Sequence, residues 1–293
     1  MNSLPPMDRL SGLLERFRVH ATLHHTGMLC GVARFDGKEG YGYLHVLRRG
    51  ELTVSHPGFH ELPGLLHFQE PTLLLYPRPL THRFHNPPAD GPDFTCARLA
   101  FDGGSDNPLV RTLPPLIALP LTKVDGLSGS LDLLFAETDR VRCGQRLLAD
   151  RLFEVVFIQL LRWLLDHPAE AGVQPGLITG LSDPRLARAL AAMHHAPGES
   201  WTLERMAQTA GMSRTSFATR FRDTVGQTPV EYLTDWRIAL AQSRLREGRP
   251  IKLLAEELGY ANPSALSRAF AARTGMYPSV WLENAQTRAN AQA

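Results

Sequence analysis

The chain has 293 residues, 43% of them hydrophobic, with 31 Lys plus Arg against 29 Asp plus Glu, which is material for about two domains. Its longest apolar runs, Ile117 to Leu121 and Val155 to Leu161, fall well short of the roughly 18 residues of a membrane helix. The start, MNSLPPMDRL, lacks a secretory pattern, and three cysteines make an odd number that does not read as a disulfide framework. These features exclude an integral membrane protein and predict a cytoplasmic one. Only Lys38, Lys123 and Lys252 are lysines, so the positive charge rests on guanidinium groups, whose fork suits phosphate and carboxylate.

In chain order, short apolar runs come first. GVARF, YGYLHVL, ELTVS, TLLLYP, THRFH and FTCARLAF lie between about Gly31 and Phe101, broken by Gly, Pro, Asn and Asp, and predict the strands of a sandwich or barrel. Residues 102 to 130 are rich in Pro and Gly and read as connection. From about Leu131 the apolar spacing turns helical, most plainly over Arg146 to Leu165. The stretch His167 to Pro184 reads as a loop, and helix then prevails to the end. Residues 198 to 293 hold twelve basic and nine acidic side chains, the rest of the chain nineteen and twenty, so the last third is mildly basic. The expectation is an α+β chain in two domains: a barrel over 1–130, a helical linker and dimerisation region over 131–197, and an all-α domain over 198–293.

The last third contains a repeat. Leu203, Met206, Ala207 and Ala210 recur 48 residues later as Ile251, Leu254, Ala255 and Leu258, each stripe ending on a glycine, Gly211 or Gly259. With one further residue in the second turn, Phe217, Phe221, Gly226, Pro229 and Tyr232 match Leu266, Phe270, Gly275, Pro278 and Trp281. Ser213 and Asn262, both types that cap free N–H groups, open the second helix of each copy. Helix, tight glycine turn and second helix is the helix-turn-helix arrangement, whose second helix enters the DNA major groove; a tandem helical hairpin that binds only protein is the plainer alternative. With Phe217 and Phe221 buried, Thr215, Thr219 and Arg222 point outward with Ser216 beside them, and Ser264 and Arg268 do so in the second copy. Short hydroxyls and arginines without acids suit an approach to bases and phosphates.

The run WTLERMAQTAGMSRTSFATRFRDTVGQTPVEYL, the helix TDWRIALAQSRLREG and the stretch GYANPSALSRAFAARTGMYP resemble the double helix-turn-helix domain of AraC/XylS-type transcription regulators over about residues 199 to 284. The resemblance implies double-stranded promoter DNA and RNA polymerase as partners, a nucleoid-associated protein, a central helix near Val230 to Glu247, no catalytic residues, and activation as the outcome. It places base reading on Thr215, Thr219, Ser264 and Arg268, with Arg214, Ser216, Arg222, Asn262 and Ser267 flanking. Arg268 suits bidentate contact to guanine, whereas Thr219 departs from the arginine common in the family. YLHVLRRGELTVSHPG with TLLLYPRPLTHRFHNP resembles the cupin-like sensor barrel of such regulators. GLITGLSDPRLARALAAMHHAPGESWTLERMA resembles the approach to the DNA-binding domain in the cysteine-carrying branch, which includes sensors of reactive chlorine. The effector is then an oxidant, an electrophile or a small ligand, and the protein a homodimer.

Four barrel residues are candidates for one chemical site. Cys30 precedes the first expected strand, His45 shares a face with Tyr41 and Tyr43, His82 opens HRFH, and Cys96 lies in FTCARL. Two sulfurs and two imidazoles suffice for zinc; alternatively Cys30 and Cys96 form a redox pair, or both are small buried hydrophobes. Cys143 reads as incidental. A metal-dependent cupin enzyme fused to a DNA-binding module is the alternative function, against which stands the lack of an HxH-plus-glutamate pattern near His45.

Overall fold

The structure, a computed structural model, describes residues 8–124 and 126–292. The chain divides into two compact units, one of residues 19–101 and 113–172, the other of residues up to 18, 102–112 and from 173 onward.

The first unit is two antiparallel sheets. Its strands are β1 (Val19–Met28), β2 (Val32–Phe35), β3 (Gly42–Arg49), β4 (Leu52–Ser55), β5 (Leu65–Phe68), β6 (Thr72–Tyr76), β7 (His82–His85), β8 (Asp93–Phe101) and β9 (Ile117–Pro120). One sheet runs β1-β8-β3-β6-β9 and the other β2-β7-β4-β5. Alternation decides what lies between them: Tyr43, Leu47, Leu74, Tyr76, Phe94 and Cys96 from the first sheet pack on Phe35, Leu52, Val54 and Phe84 from the second. The six expected strands are present. Three more were not legible: β1, whose VHATLHHTGM is half polar because it is an edge strand; β5, short and partly exposed; and β9, within the Pro-rich connection. Because β1 comes first, Cys30 lies between β1 and β2 rather than ahead of the sheet.

The helices of both units, in chain order, are α1 (Ser11–Leu14), α2 (Pro108–Thr112), α3 (Ser128–Thr138), α4 (Gln145–Asp166), α5 (Leu177–Ser182), α6 (Leu186–His195), α7 (Leu203–Ala210), α8 (Arg214–Val225), α9 (Pro229–Arg246), α10 (Ile251–Glu257), α11 (Pro263–Thr274) and α12 (Pro278–Gln292). Only α3 and α4 belong to the first unit. There α4 lies on β1, with Phe157 edge-on to Phe101 at 5.7 Å. Its flanks leave Leu147, Leu148 and Val155 exposed.

The other helices form the second unit, and their ends follow from local chemistry. Ser213 caps α8 by accepting from Ser216 N–H, and Asn262 caps α11 by accepting from Ala265 N–H. Thr228 and Glu231 form a capping box on α9, with Pro229 at its first turn. Gly226 and Gly275 end α8 and α11 at φ of 80° and 76°, the left-handed conformation that a side chain opposes. The central helix α9 packs on α7, α8, α10, α11 and α12. The stretch expected as loop, His167 to Pro184, contains α5, which packs on α6 and α8; its glycine and serine content hid a helix that tertiary contact sustains.

Candidate nucleic-acid interface and barrel interior

In α8, Phe217 and Phe221 are fully buried, and in α11 Leu266 and Phe270 are. That burial turns the opposite face outward: Thr215, Ser216, Thr219 and Arg222 are exposed in α8, and Ser264 and Arg268 in α11, with Asn262 exposed at its cap and Ser267 half-buried. No acid stands at these positions. Arg222 and Arg268 make no ion pair among the described residues. By contrast Arg214 pairs with Glu204 at 2.9 Å and Arg220 with Asp183 at 2.5 Å. The cations free to meet a phosphate or a base edge are therefore one per reading helix.

Behind this face sits a buried aromatic cluster that the sequence did not disclose. His194 Nε2 and the Tyr232 hydroxyl are 2.6 Å apart, and the His194 ring stacks on Trp236 at 3.9 Å. Burial lowers the His194 pKa to about 3, so the ring is neutral. Phe17 meets Trp236 edge-on at 5.1 Å. The only sequence signal was a histidine on the apolar side of LARALAAMHH.

In the sheet unit, His45 and His82 meet with their Nε2 atoms 2.9 Å apart, both fully buried. His82 Nδ1 lies 2.8 Å from the Leu80 carbonyl, which can only accept, so Nδ1 carries the His82 proton. His82 Nε2 is then the acceptor and His45 Nε2–H the donor. That tautomer leaves His45 Nδ1 an unprotonated, buried nitrogen with no partner. Burial pushes both pKa values down, that of His82 to about 3, and for His45 the neighbouring imidazole adds to it. Rings fill the space around them. Tyr76 stacks on His82 at 4.0 Å with Phe35 parallel to it at 4.9 Å, and Tyr43 stacks on His45 at 5.4 Å. The Tyr76 hydroxyl in turn lies 3.0 Å from His56 Nε2.

Of the two cysteines, Cys96 is the register partner of His45 on β8 and is completely buried, which pushes its thiol pKa up. Cys30 is exposed. Register separates the pair: Met28 faces Asp93, and Leu29 N–H bonds the Pro92 carbonyl, so Cys30 stands about five strand residues, about 17 Å, from the level of Cys96. A disulfide spans Cα atoms no more than about 7 Å apart. The four residues named for zinc therefore do not converge: His45, His82 and Cys96 share the interior and Cys30 does not. Among the described residues no group of three or more His, Cys, Asp or Glu could hold a metal ion, and the two imidazole nitrogens nearest each other are already joined by a hydrogen bond. The donor set does not fit a metal. His85, exposed on the outer face, bonds Ser55 at 2.7 Å.

Among the described residues no helix is long and apolar enough to cross a membrane. Comparison with known proteins gives a consistent picture. A putative AraC-like transcription regulator of Streptomyces antibioticus is 38% identical over 173 residues, 58% of this chain and 56% of that protein. The transcriptional regulator AlkR of Acinetobacter baylyi is 36% identical over 169 residues, 56% of this chain and 54% of that protein. The match thus spans little more than half the length of these relatives. The RCS-specific transcriptional activator RclR of Escherichia coli is 28% identical over 283 residues, covering 94% of this chain and 98% of that protein. All three are named as regulators and none as an enzyme. Residues 206–284 match a helix-turn-helix domain and residues 8–166 the cupin family, so the chain belongs to the cupin family and joins to that domain a helix-turn-helix domain of the AraC type.

Proposed function

We propose that the chain is a sequence-specific DNA-binding transcription regulator in which α8 and α11 read base edges from one double-stranded promoter. The observation that carries this is the pair of exposed faces on capped helices, each with hydroxyl side chains and one unpaired arginine, Asp223 being the one acid in α8. Thr215, Thr219, Ser264 and Arg268 read bases, while Arg214, Ser216, Arg222, Asn262 and Ser267 flank them. The test is selection of binding sites from random duplexes, followed by anisotropy titration: enrichment of a two-part sequence is expected, and failure to enrich any sequence overturns the reading.

The cupin domain supplies control, and its chemistry is that of an oxidant sensor. The support is twofold: the interior is filled by rings, and an exposed cysteine, Cys30, is available to a reagent in solution while Cys96 is buried. Cys30 thiolate attacks the chlorine of hypochlorous acid, releasing hydroxide and leaving a sulfenyl chloride. Cys96 sulfur then displaces chloride, so two thiols and one hypochlorous acid become a disulfide, water and hydrogen chloride. The gap between the two cysteines requires the strands to rearrange, and that rearrangement is the second state of the domain. The same reading makes the protein a cytoplasmic, nucleoid-associated homodimer that recruits RNA polymerase as an activator. Mass spectrometry of thiols before and after hypochlorous acid, beside promoter binding, tests the sensor: a Cys30→Ser chain that still responds removes it. The relative named as an RCS-specific activator favours an oxidant over an organic ligand.

A further inference from the structure

The first reading helix is tied down by a segment outside the helix-turn-helix match. Asp183, between α5 and α6, has a side chain only 7% exposed. Its Oδ1 accepts from the backbone N–H of Arg185 and Leu186 at 2.8 and 3.1 Å, and its Oδ2 accepts from Arg220 Nε at 2.5 Å. A second tie lies one turn along α8, where the Thr179 hydroxyl and Gly176 N–H both donate to the Thr224 carbonyl, at 2.8 and 3.2 Å. Between the ties the helices approach closely. A Cβ on Gly180 would lie 2.8 Å from Leu190 Cδ1 and 2.9 Å from Val225 Cγ2. The Thr224 and Val225 contacts fall on the side of α8 that carries Phe217 and Phe221, whereas Arg220 makes its contact from the exposed flank of the helix.

We propose that Asp183 is a positioning residue for DNA recognition, and that the corner between α5 and α6 sets the angle at which α8 meets its half of the site. The proposal rests on the DNA-binding reading above. Its physical content is division of labour among the arginines: Arg220 is an internal strut, whereas Arg222 and Arg268 are left for DNA. Among the described residues the ion pair made by α11 is that of Arg273 with Asp235 of α9 at 3.1 Å, a tie inside the helix-turn-helix match rather than to a segment before it. The consequence is asymmetric, since a change at Asp183 alters reading by the first motif and leaves the second alone.

The experiment uses the full chain and a duplex obtained by selection from random sequences, with base substitutions then made in each half. Asp183→Asn keeps an oxygen for the two backbone N–H groups but turns a donor toward Arg220; Arg220→Met keeps the stem and removes the charge. Both variants should bind about tenfold more weakly, the size of one lost base contact. Both should also flatten base preference in one half only, the half that Arg268→Ala leaves intact, at an unchanged salt slope. Tighter binding by Asp183→Asn with a steeper salt slope would overturn the proposal, because Asp183 would then only be withholding a phosphate contact. Equal flattening in both halves, or no change, would overturn it as well. A wild-type chain that enriches no sequence overturns the DNA-binding reading and this one with it, whereas enrichment beside an unaltered Asp183→Asn overturns this one alone.

Discussion

The buried His194 makes the helical unit acid-labile by an amount that can be worked out. Its folded pKa is about 3 against an ordinary 6.5, so below pH 6.5 the unfolded chain binds a proton that the folded one refuses. Stability attached to this group is therefore complete above pH 6.5 and falls with pH until the folded pKa is reached. The loss is about 2 kcal/mol between about pH 7 and pH 5, rising to about 4 kcal/mol by pH 3. The structural reason is that Nε2 is taken up by Tyr232 while Nδ1 has no partner, so a second ring proton has nowhere to go. Urea unfolding at the two pH values, followed by tryptophan fluorescence, measures it; Trp201, Trp236 and Trp281 lie in this unit and only Trp163 in the other. His194→Gln keeps a hydrogen-bonding side chain that does not titrate. The fall between pH 7 and 5 should shrink by about 2 kcal/mol in that variant. An identical fall in variant and wild type would refute the reasoning, since His45 and His82 lie in the other unit.

Arg268→Ala should relax preference at one base pair and lose about 1–3 kcal/mol of discrimination, while Arg222→Ala should weaken all duplexes alike and lower the salt slope by about one; a preserved base preference in Arg268→Ala would place reading elsewhere. Gly180→Ala should gain about 1 kcal/mol of helix propensity yet lose about 1–3 kcal/mol to crowding against Leu190 and Val225; a higher melting temperature would show that those side chains yield freely. Iodoacetamide should label Cys30 and Cys143 in the native protein and Cys96 only after unfolding, read by peptide mass; early labelling of Cys96 would mean that the strands already open.

The sequence by itself determined what is local. The repeat of helix, glycine turn and helix was legible because its apolar spacing, caps and αL glycines all act within a few residues, and α8, α9 and α11 begin on the residues that their caps specify. The inward face of His45 was legible in the same way, from alternation along one strand. Tertiary structure decided the rest. That His45 meets His82, and in which tautomer, depends on two sheets closing over one another. That Cys30 stands far from Cys96 depends on the register of β1, an edge strand too polar to announce itself. That Arg220 pairs with Asp183, 37 residues away in a stretch that read as loop, depends on how α5, α6 and α8 pack. Short-range geometry is written in spacing and residue type, whereas pairings across sheets and between helices exist only once burial has chosen which surfaces meet.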